Sequence, residues 1–320
     1  MYYYDELKMF YILEILTENA NEEKKIYQQD VKRLLEQNYN IIISRKTLGK
    51  YIGILRETGY IKGKRGIYKV NKFSDNELRI LIDGVLFGQY IPVQKAEEII
   101  EKLKSLSPVS LKNKVRHVHY VQDLNRTINE DIYTLLDKID EAIEKKRQIE
   151  ITVCRLNEEA QLEDVRTEVI HPYYIVNSNS HYYVLCSGKR EQIESRRIDR
   201  ISNVEILTER VTPIETIKGG KKNFNLAEYM NEHIYMFSGE SIPIKIKLKK
   251  EHIGIFIDWY GTDYTIVERD DQFITIRVRV NENATYYWAL QYGHVVEIVE
   301  PIDLREKLKQ GLKDMLKKYE

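Results

Sequence analysis

The apolar residues of this chain change their spacing near residue 146, and that change limits what it can fold into. Before this point they recur at helical intervals. After it, "RQIEITV" sets Ile149, Ile151 and Val153 against Gln148, Glu150 and Thr152, as a half-buried strand does. Strand-like runs follow at "DVRTEVI", "YYIV", "HYYVLC", "EQIESRRI" and "NVEIL", separated by turn residues such as "NSNS" and "SGKR". Closely spaced strands of this kind suggest a small antiparallel barrel. With 320 residues the chain is too long for one ordinary core. A multidomain α+β protein is expected, with units at 1–72, 73–145, 146–212 and 240–320 and a linker at 213–239.

The first unit reads as three helices and a hairpin. "LKMFYILEIL" carries Leu7, Phe10, Ile12, Leu13 and Leu16 at helical spacing, and "YQQDVKRLLEQN" points Val31, Leu34 and Leu35 inward. Ser44 is a good N-cap for a third helix with Leu48, Ile52 and Leu55 on one face, which stops at Gly59. "YIKGKRGIYKV" then places two short strands around a Gly-Lys-Arg-Gly turn. This order is that of a winged helix-turn-helix.

Charge supports a role for that unit. Formal net charge over the whole chain is zero, yet residues 44–70 hold Arg45, Lys46, Lys50, Arg56, Lys62, Lys64, Arg65 and Lys69 against one acid, Glu57. With the apolar face of the third helix spent on the core, Ser44, Arg45, Lys46, Thr47 and Lys50 stand at its N-terminal half, the end that enters the major groove in helix-turn-helix proteins. Lys64 and Arg65 fall at the wing tip, where a cation meets a phosphate or the minor groove. Double-stranded operator DNA is therefore the expected partner. Gly49 and Gly53 weaken the helix by about 1 kcal/mol each relative to Ala. They either permit close approach of a phosphate or another helix, or simply weaken base reading.

Residues 73–145 read as a helical connector. Ser74 and Glu77 form a capping signature, "QKAEEIIEKLKSL" gives a second helix, and "NEDIYTLLDKIDEAIEKK" is strongly amphipathic. Between them lies a basic, poorly periodic joint containing His117 and His119, too few ligands to argue for a metal. The two cysteines, Cys154 and Cys186, lack CxxC spacing and read as reduced core residues. Asp5 and Glu6 stand where a secretory signal would be basic, and no uncharged apolar run approaches bilayer length. A cytoplasmic location without membrane association is expected.

The last unit runs β-α-β-β-α-β and then a helix from Pro301, the order of a ferredoxin-like fold. Lys245, Lys247 and Lys249 on one strand and Arg277 and Arg279 on another would share a basic sheet face if their strands are neighbours. That face is either solvated surface or a surface for an anionic effector or a partner subunit. Trp288 reads as a core or interface anchor.

"HPYYIVNSNSHYYVLCSGKREQIESRRIDRISNVEIL" resembles the WYL domain. The family's Trp-Tyr-Leu tripeptide falls on Tyr182, Tyr183 and Val184, and its Phe-Arg-Leu-Asp-Arg-Ile pattern on Arg196 to Ile201; Arg196 replaces an aromatic residue. The arrangement of units resembles WYL regulators, with a winged helix in front and a C-terminal extension behind. The resemblance implies an Sm-like or SH3-like β-barrel that senses a nucleotide-type or nucleic-acid ligand through His171, Tyr173, Tyr182, Arg190, Arg197 and Arg200. Strand alternation turns one of Tyr182 and Tyr183 inward, and Arg200 can instead pair with Asp199.

A transcriptional regulator follows, with an effector that modulates DNA binding and a homodimer that supplies two DNA-binding heads. The alternative is an accessory protein that grips single-stranded nucleic acid and modulates a defence or repair enzyme. No nucleophile elbow, P-loop, dinucleotide fingerprint or metal cluster argues for an enzyme, and no cofactor is expected.

Overall fold

The computed structural model describes residues 3–22, 24–64, 66–106 and 126–320. Arg65, His117 and His119 lie outside the described residues, as does the rest of the basic joint. The chain divides into two compact units, 1–127 and 128–320.

Unit 1 opens with α1 (Tyr3–Asn19), α2 (Gln28–Tyr39) and α3 (Arg45–Glu57). Ile12, Ile15 and Leu16 of α1 meet Val31 and Leu35 of α2 and Leu48, Ile52 and Leu55 of α3 in one buried cluster. Leu7 and Phe10 share the helical spacing but face outward, Phe10 being 68% exposed. Asn40, left-handed at φ 54°, ends α2. Ser44 Oγ accepts the Thr47 N–H at 3.1 Å and caps α3, and Gly59 at φ +80° turns the chain out of it.

A hairpin follows, β1 (Ile61–Lys62) paired with β2 (Tyr68–Lys69). Gly63 sits at φ +98°, where a Cβ would lie 1.9 Å from the Gly66 carbonyl oxygen, so only glycine fits the turn. Ile26 also bridges Ile67, tying the approach to α2 onto the hairpin. Beyond it, α4 (Asp75–Phe87) begins with the expected Ser74/Glu77 capping box and packs on α5 (Val93–Ser105) through Leu78, Ile82, Ala96 and Ile100. The Arg126 guanidinium donates to the carbonyls of Val85, Leu86, Gly88 and Ile91 and so caps the C-terminal end of α4.

Unit 2 starts with α6 (Ile132–Glu144), whose Ile132, Leu135, Ile139 and Ala142 bury against Ile149, Ile151, Ile170 and Val204. This helix, read from sequence with the connector, shares its core with the sheet that follows. The strands are β3 (Arg147–Leu156), β4 (Leu162–Ser178), β5 (His181–Ser187), β6 (Glu194–Arg197) and β7 (Ile201–Arg210), ordered β6-β5-β4-β3-β7 and all antiparallel. The runs "DVRTEVI" and "YYIV" are one strand. β4 pairs with β3 up to Ile170 and with β5 from His171, and a register shift between Pro172 and Tyr174 marks the change of partner. A bulge absorbs the proline, which has no N–H to give, without ending the strand.

Residues 213–239 are more than a connection. They carry α7 (Leu226–Glu232), and Ile217, Tyr229 and Met236 bury against Val176, Tyr183 and Leu185 of the sheet and Ile193 just before β6. Their apolar residues are scattered among lysines, glycines and asparagines, so no periodicity reveals the packing.

The final part contains β8 (Ser241–Lys249), α8 (Ile253–Tyr260), β9 (Thr265–Arg269), β10 (Phe273–Asn281), α9 (Glu282–Gln291), β11 (Val296–Glu300) and α10 (Ile302–Leu316). Its sheet order is β11-β8-β10-β9. Ile244, Ile246 and Leu248 alternate inward onto Phe256 and Trp288, and Trp288 is fully buried. Cys154 and Cys186 are buried free thiols, and burial pushes the Cys186 thiol up to about 12. No helix among the described residues is long and apolar enough to cross a membrane.

Candidate functional site

In unit 1, Arg45, Lys46, Lys50 and Lys64 are all exposed, and none makes an ion pair among the described residues. Thr47 is half-buried, with Ser44 Oγ 2.8 Å from its own hydroxyl, so Ser44 and Thr47 serve first as the helix cap. Arg45 and Lys64 line a cleft of about 580 Å³ with Tyr27, Gln28, Lys32 and Arg56. The cleft joins the N-terminal turn of α2, the first turn of α3 and the hairpin. Arg56 donates to the Gly63 carbonyl at 2.9 Å and holds the hairpin turn against α3, a role its place in a charge run did not reveal. Lys69 donates to Thr17 Oγ1 at 2.9 Å, so that part of the basic stretch is internal structure. A Cβ added at Gly49 or Gly53 would meet nothing within 4 Å, so their side of α3 is bare backbone.

The sensor candidates in unit 2 fall into two groups. At one end of β5, the Thr212 N–H donates to His171 Nδ1 at 2.9 Å, and the Tyr173 hydroxyl donates to the Thr212 carbonyl at 2.9 Å while lying 2.8 Å from Ser187 Oγ. Together they clasp the chain as it leaves β7. Burial holds the His171 imidazole below its ordinary value, so the ring is neutral and accepts at Nδ1. The adjoining cleft of about 440 Å³ is lined by Glu150, Glu168 and Glu191 against a single Lys189, a poor setting for a phosphate.

The second group is at the opposite end of β5, six residue steps or roughly 20 Å away at about 3.3 Å per residue. The Arg197 fork closes on Asp199, Nε to Oδ1 at 3.0 Å and Nη2 to Oδ2 at 2.6 Å, and Nη2 also donates to His181 Nδ1 at 3.1 Å. Arg200 Nε lies 4.0 Å from the same buried carboxylate. Arg196, where the family pattern has an aromatic, donates to Glu168 at 2.7 Å and Glu194 at 2.6 Å. Tyr182 packs half-buried on the core shared by α6 and the sheet, and Tyr183 buries on the opposite face, so both are used in packing. Arg190 lies back at the Ser187 end, in the turn between β5 and β6, 78% exposed and 3.7 Å from Glu194. The six residues are thus not brought together, and the guanidinium groups of Arg196 and Arg197 already have carboxylate partners.

β8 and β10 are neighbours, with Arg277 directly opposite Lys245. The basic residues share a face, though Lys245 bonds Glu300 at 2.8 Å and Lys247 lies over the Phe273 ring at 5.0 Å. A separate cleft of about 310 Å³ lies where the segment after β7 meets β8 and β10. No cluster of metal-binding side chains occurs among the described residues.

Comparison with known proteins gives two domain matches, residues 134–206 to the WYL domain and residues 240–316 to the WCX domain. An uncharacterized HTH-type transcriptional regulator, YobV of Bacillus subtilis (strain 168), is 22% identical over 242 residues, which cover 73% of this chain and 72% of that one. Among solved structures, proteasome accessory factor B/C (PafBC) of Arthrobacter aurescens matches at 16% identity and a TM-score of 0.31, over 98% of this chain and 49% of that chain. This chain therefore spans about half the length of PafBC. A CRISPR Cas-related protein matches at 16% identity and a TM-score of 0.40, over 99% of this chain and 81% of that one.

Proposed function

We propose that this chain, which carries a WYL domain followed by a WCX domain, is a transcriptional regulator that binds duplex DNA through a winged helix-turn-helix in unit 1. The observation that carries the reading is the set of exposed cations around the start of α3, Arg45, Lys46, Lys50 and Lys64, which make no ion pair among the described residues and are joined by Lys32 across the cleft. Lysine and arginine side chains projecting from a helix N-terminal half and from a wing match what a phosphate backbone and a major groove require. The HTH-type name of the Bacillus relative points the same way.

In this reading the Sm- or SH3-like barrel and the ferredoxin-like unit behind it bind an effector and assemble a homodimer. An effector changes DNA affinity only through its different affinities for the competent and incompetent arrangements of the two heads. The accessory-protein alternative has less support, because Arg197, one of the guanidinium groups that would grip a single strand, is engaged with Asp199.

The test is binding to duplex DNA from upstream of the protein's own gene, titrated at several salt concentrations, with wild type and the Arg45→Ala/Lys46→Ala/Lys50→Ala variant. Each lost phosphate contact lowers the log–log salt slope by about 0.9, so three lower it by about 2.7. Between about 50 and 200 mM salt the wild type should then lose roughly 40-fold more affinity than the variant. Equal slopes and affinities for the two proteins would refute the DNA interface.

A further inference from the structure

The segment after β7 does not wander. The Lys218 N–H donates to the Glu191 carbonyl at 2.9 Å, and the Ile193 N–H donates back to the Lys218 carbonyl at 3.1 Å. This parallel bridge fixes the backbone of "KGGKK" along the edge of the sheet. Gly220 is required there, since a Cβ would lie 1.7 Å from the Ile214 carbonyl oxygen. Lys218 and Lys221 therefore enter the 310 Å³ cleft from one wall, and Arg279 of β10 lines it from another.

Two further lining residues, Tyr229 and Ser241, have buried hydroxyls with no hydrogen-bond partner among the described residues. Buried polar groups in native proteins are nearly always satisfied by protein, water or ligand, so two unpartnered hydroxyls beside one cleft mark it as a place for a bound polar molecule. Tyr229 is held in place by stacking on His233, centroids 3.9 Å apart, and by Phe224 at 5.5 Å. Two carboxylates also line the site. Glu240 is 2.8 Å from Lys218 and Glu232 is 3.6 Å from Arg279, and each cation in these pairs is more than half exposed. Ion pairs this wet are weak and exchange readily for a stronger anion.

We propose that this cleft binds a small phosphate monoester, with Arg279, Lys218 and Lys221 around the phosphate and the Ser241 and Tyr229 hydroxyls donating to ligand oxygens. Three cations on two facing segments, Lys218 and Lys221 from one and Arg279 from the other, suit a dianion with several acceptor oxygens better than a carboxylate. The volume is at the small end for ligand sites and fits a sugar phosphate or mononucleotide rather than an oligonucleotide. The site goes beyond the DNA-binding reading and does not depend on it.

The experiment uses the full chain without DNA, titrated by calorimetry with inorganic phosphate and adenosine 5′-monophosphate, with adenosine as the uncharged control. Both phosphates should bind and adenosine should not. Arg279→Gln, an exposed change that leaves the core intact, should weaken binding about tenfold or more. Ser241→Ala should weaken adenosine monophosphate binding while leaving the unliganded protein at least as stable, because it removes an unsatisfied buried group. No binding of either phosphate, binding unaffected by Arg279→Gln, or a Ser241→Ala protein that is destabilised with unchanged affinity would each overturn the proposal. Failure of DNA binding in the separate salt titration would leave it standing.

Discussion

Replacing Gly49 and Gly53 by alanine tests whether the bare side of α3 is a surface or a weakness. Both glycines lie inside a 13-residue helix, neither needs a positive φ, and an added Cβ meets nothing within 4 Å at either site. Glycine costs a helix interior about 0.8–1.0 kcal/mol relative to alanine, so the double variant should gain about 2 kcal/mol. With a urea m-value of about 2 kcal/mol/M, the midpoint for unit 1 should rise by roughly 1 M. The readout is clean because Trp259 and Trp288, the chain's two tryptophans, both lie in unit 2. Far-UV circular dichroism then reports both units, tryptophan fluorescence reports unit 2, and the difference isolates unit 1. A midpoint that is unchanged or lower would refute the reasoning, since it would mean that something occupies the space. If stability rises while DNA affinity falls, the bare backbone is a contact surface; if affinity is unchanged, the glycines only soften the helix.

Further outcomes follow from unit 2. Asp199→Ala should cost about 3 kcal/mol, the low end for breaking a buried pair, because about a third of the Arg197 side chain stays solvated; a loss below about 1 kcal/mol in urea unfolding would contradict its anchoring role. Burial holds the His233 imidazole below its ordinary value, against the opposing pull of the Tyr229 and Gly239 carbonyls. Its neutral form therefore contributes stability that is present above about pH 6.5 and lost as pH falls through the depressed folded value, at up to about 1.4 kcal/mol per pH unit. His233→Gln should flatten the stability–pH curve below pH 6.5, and an unchanged slope would refute this. Trp288→Ala should cost about 3–5 kcal/mol, whereas Trp288→Phe, which removes an indole N–H that has no partner among the described residues, should cost far less; equal losses in thermal unfolding would count against that account.

Local spacing carried most of the secondary structure. The α3 cap at Ser44, the capping box at Ser74, the exit at Gly59 and the inward Ile244, Ile246 and Leu248 depend on neighbours within a turn or a strand, and such neighbours are visible in the sequence. Leu7 and Phe10 show the limit of that argument, because spacing places residues on a face without saying whether anything covers it. Pro172 shows another, since a strand can pass through a proline where it changes partner.

The order of elements, the concentration of cations at the start of α3, and the WYL resemblance in "HPYY" and "RIDRI" are legible without coordinates. What the charged and polar side chains do once placed depends on contacts that folding creates. His171 and Tyr173 became a clasp on Thr212, and Arg196 closed on Glu168. The "KGGKK" loop and Arg279, separated by more than fifty residues, came to line one cleft. The physical reason is that backbone periodicity is local, whereas a guanidinium or hydroxyl takes whichever partner folding brings within about 3 Å, and that partner is set by strand register and chain crossing.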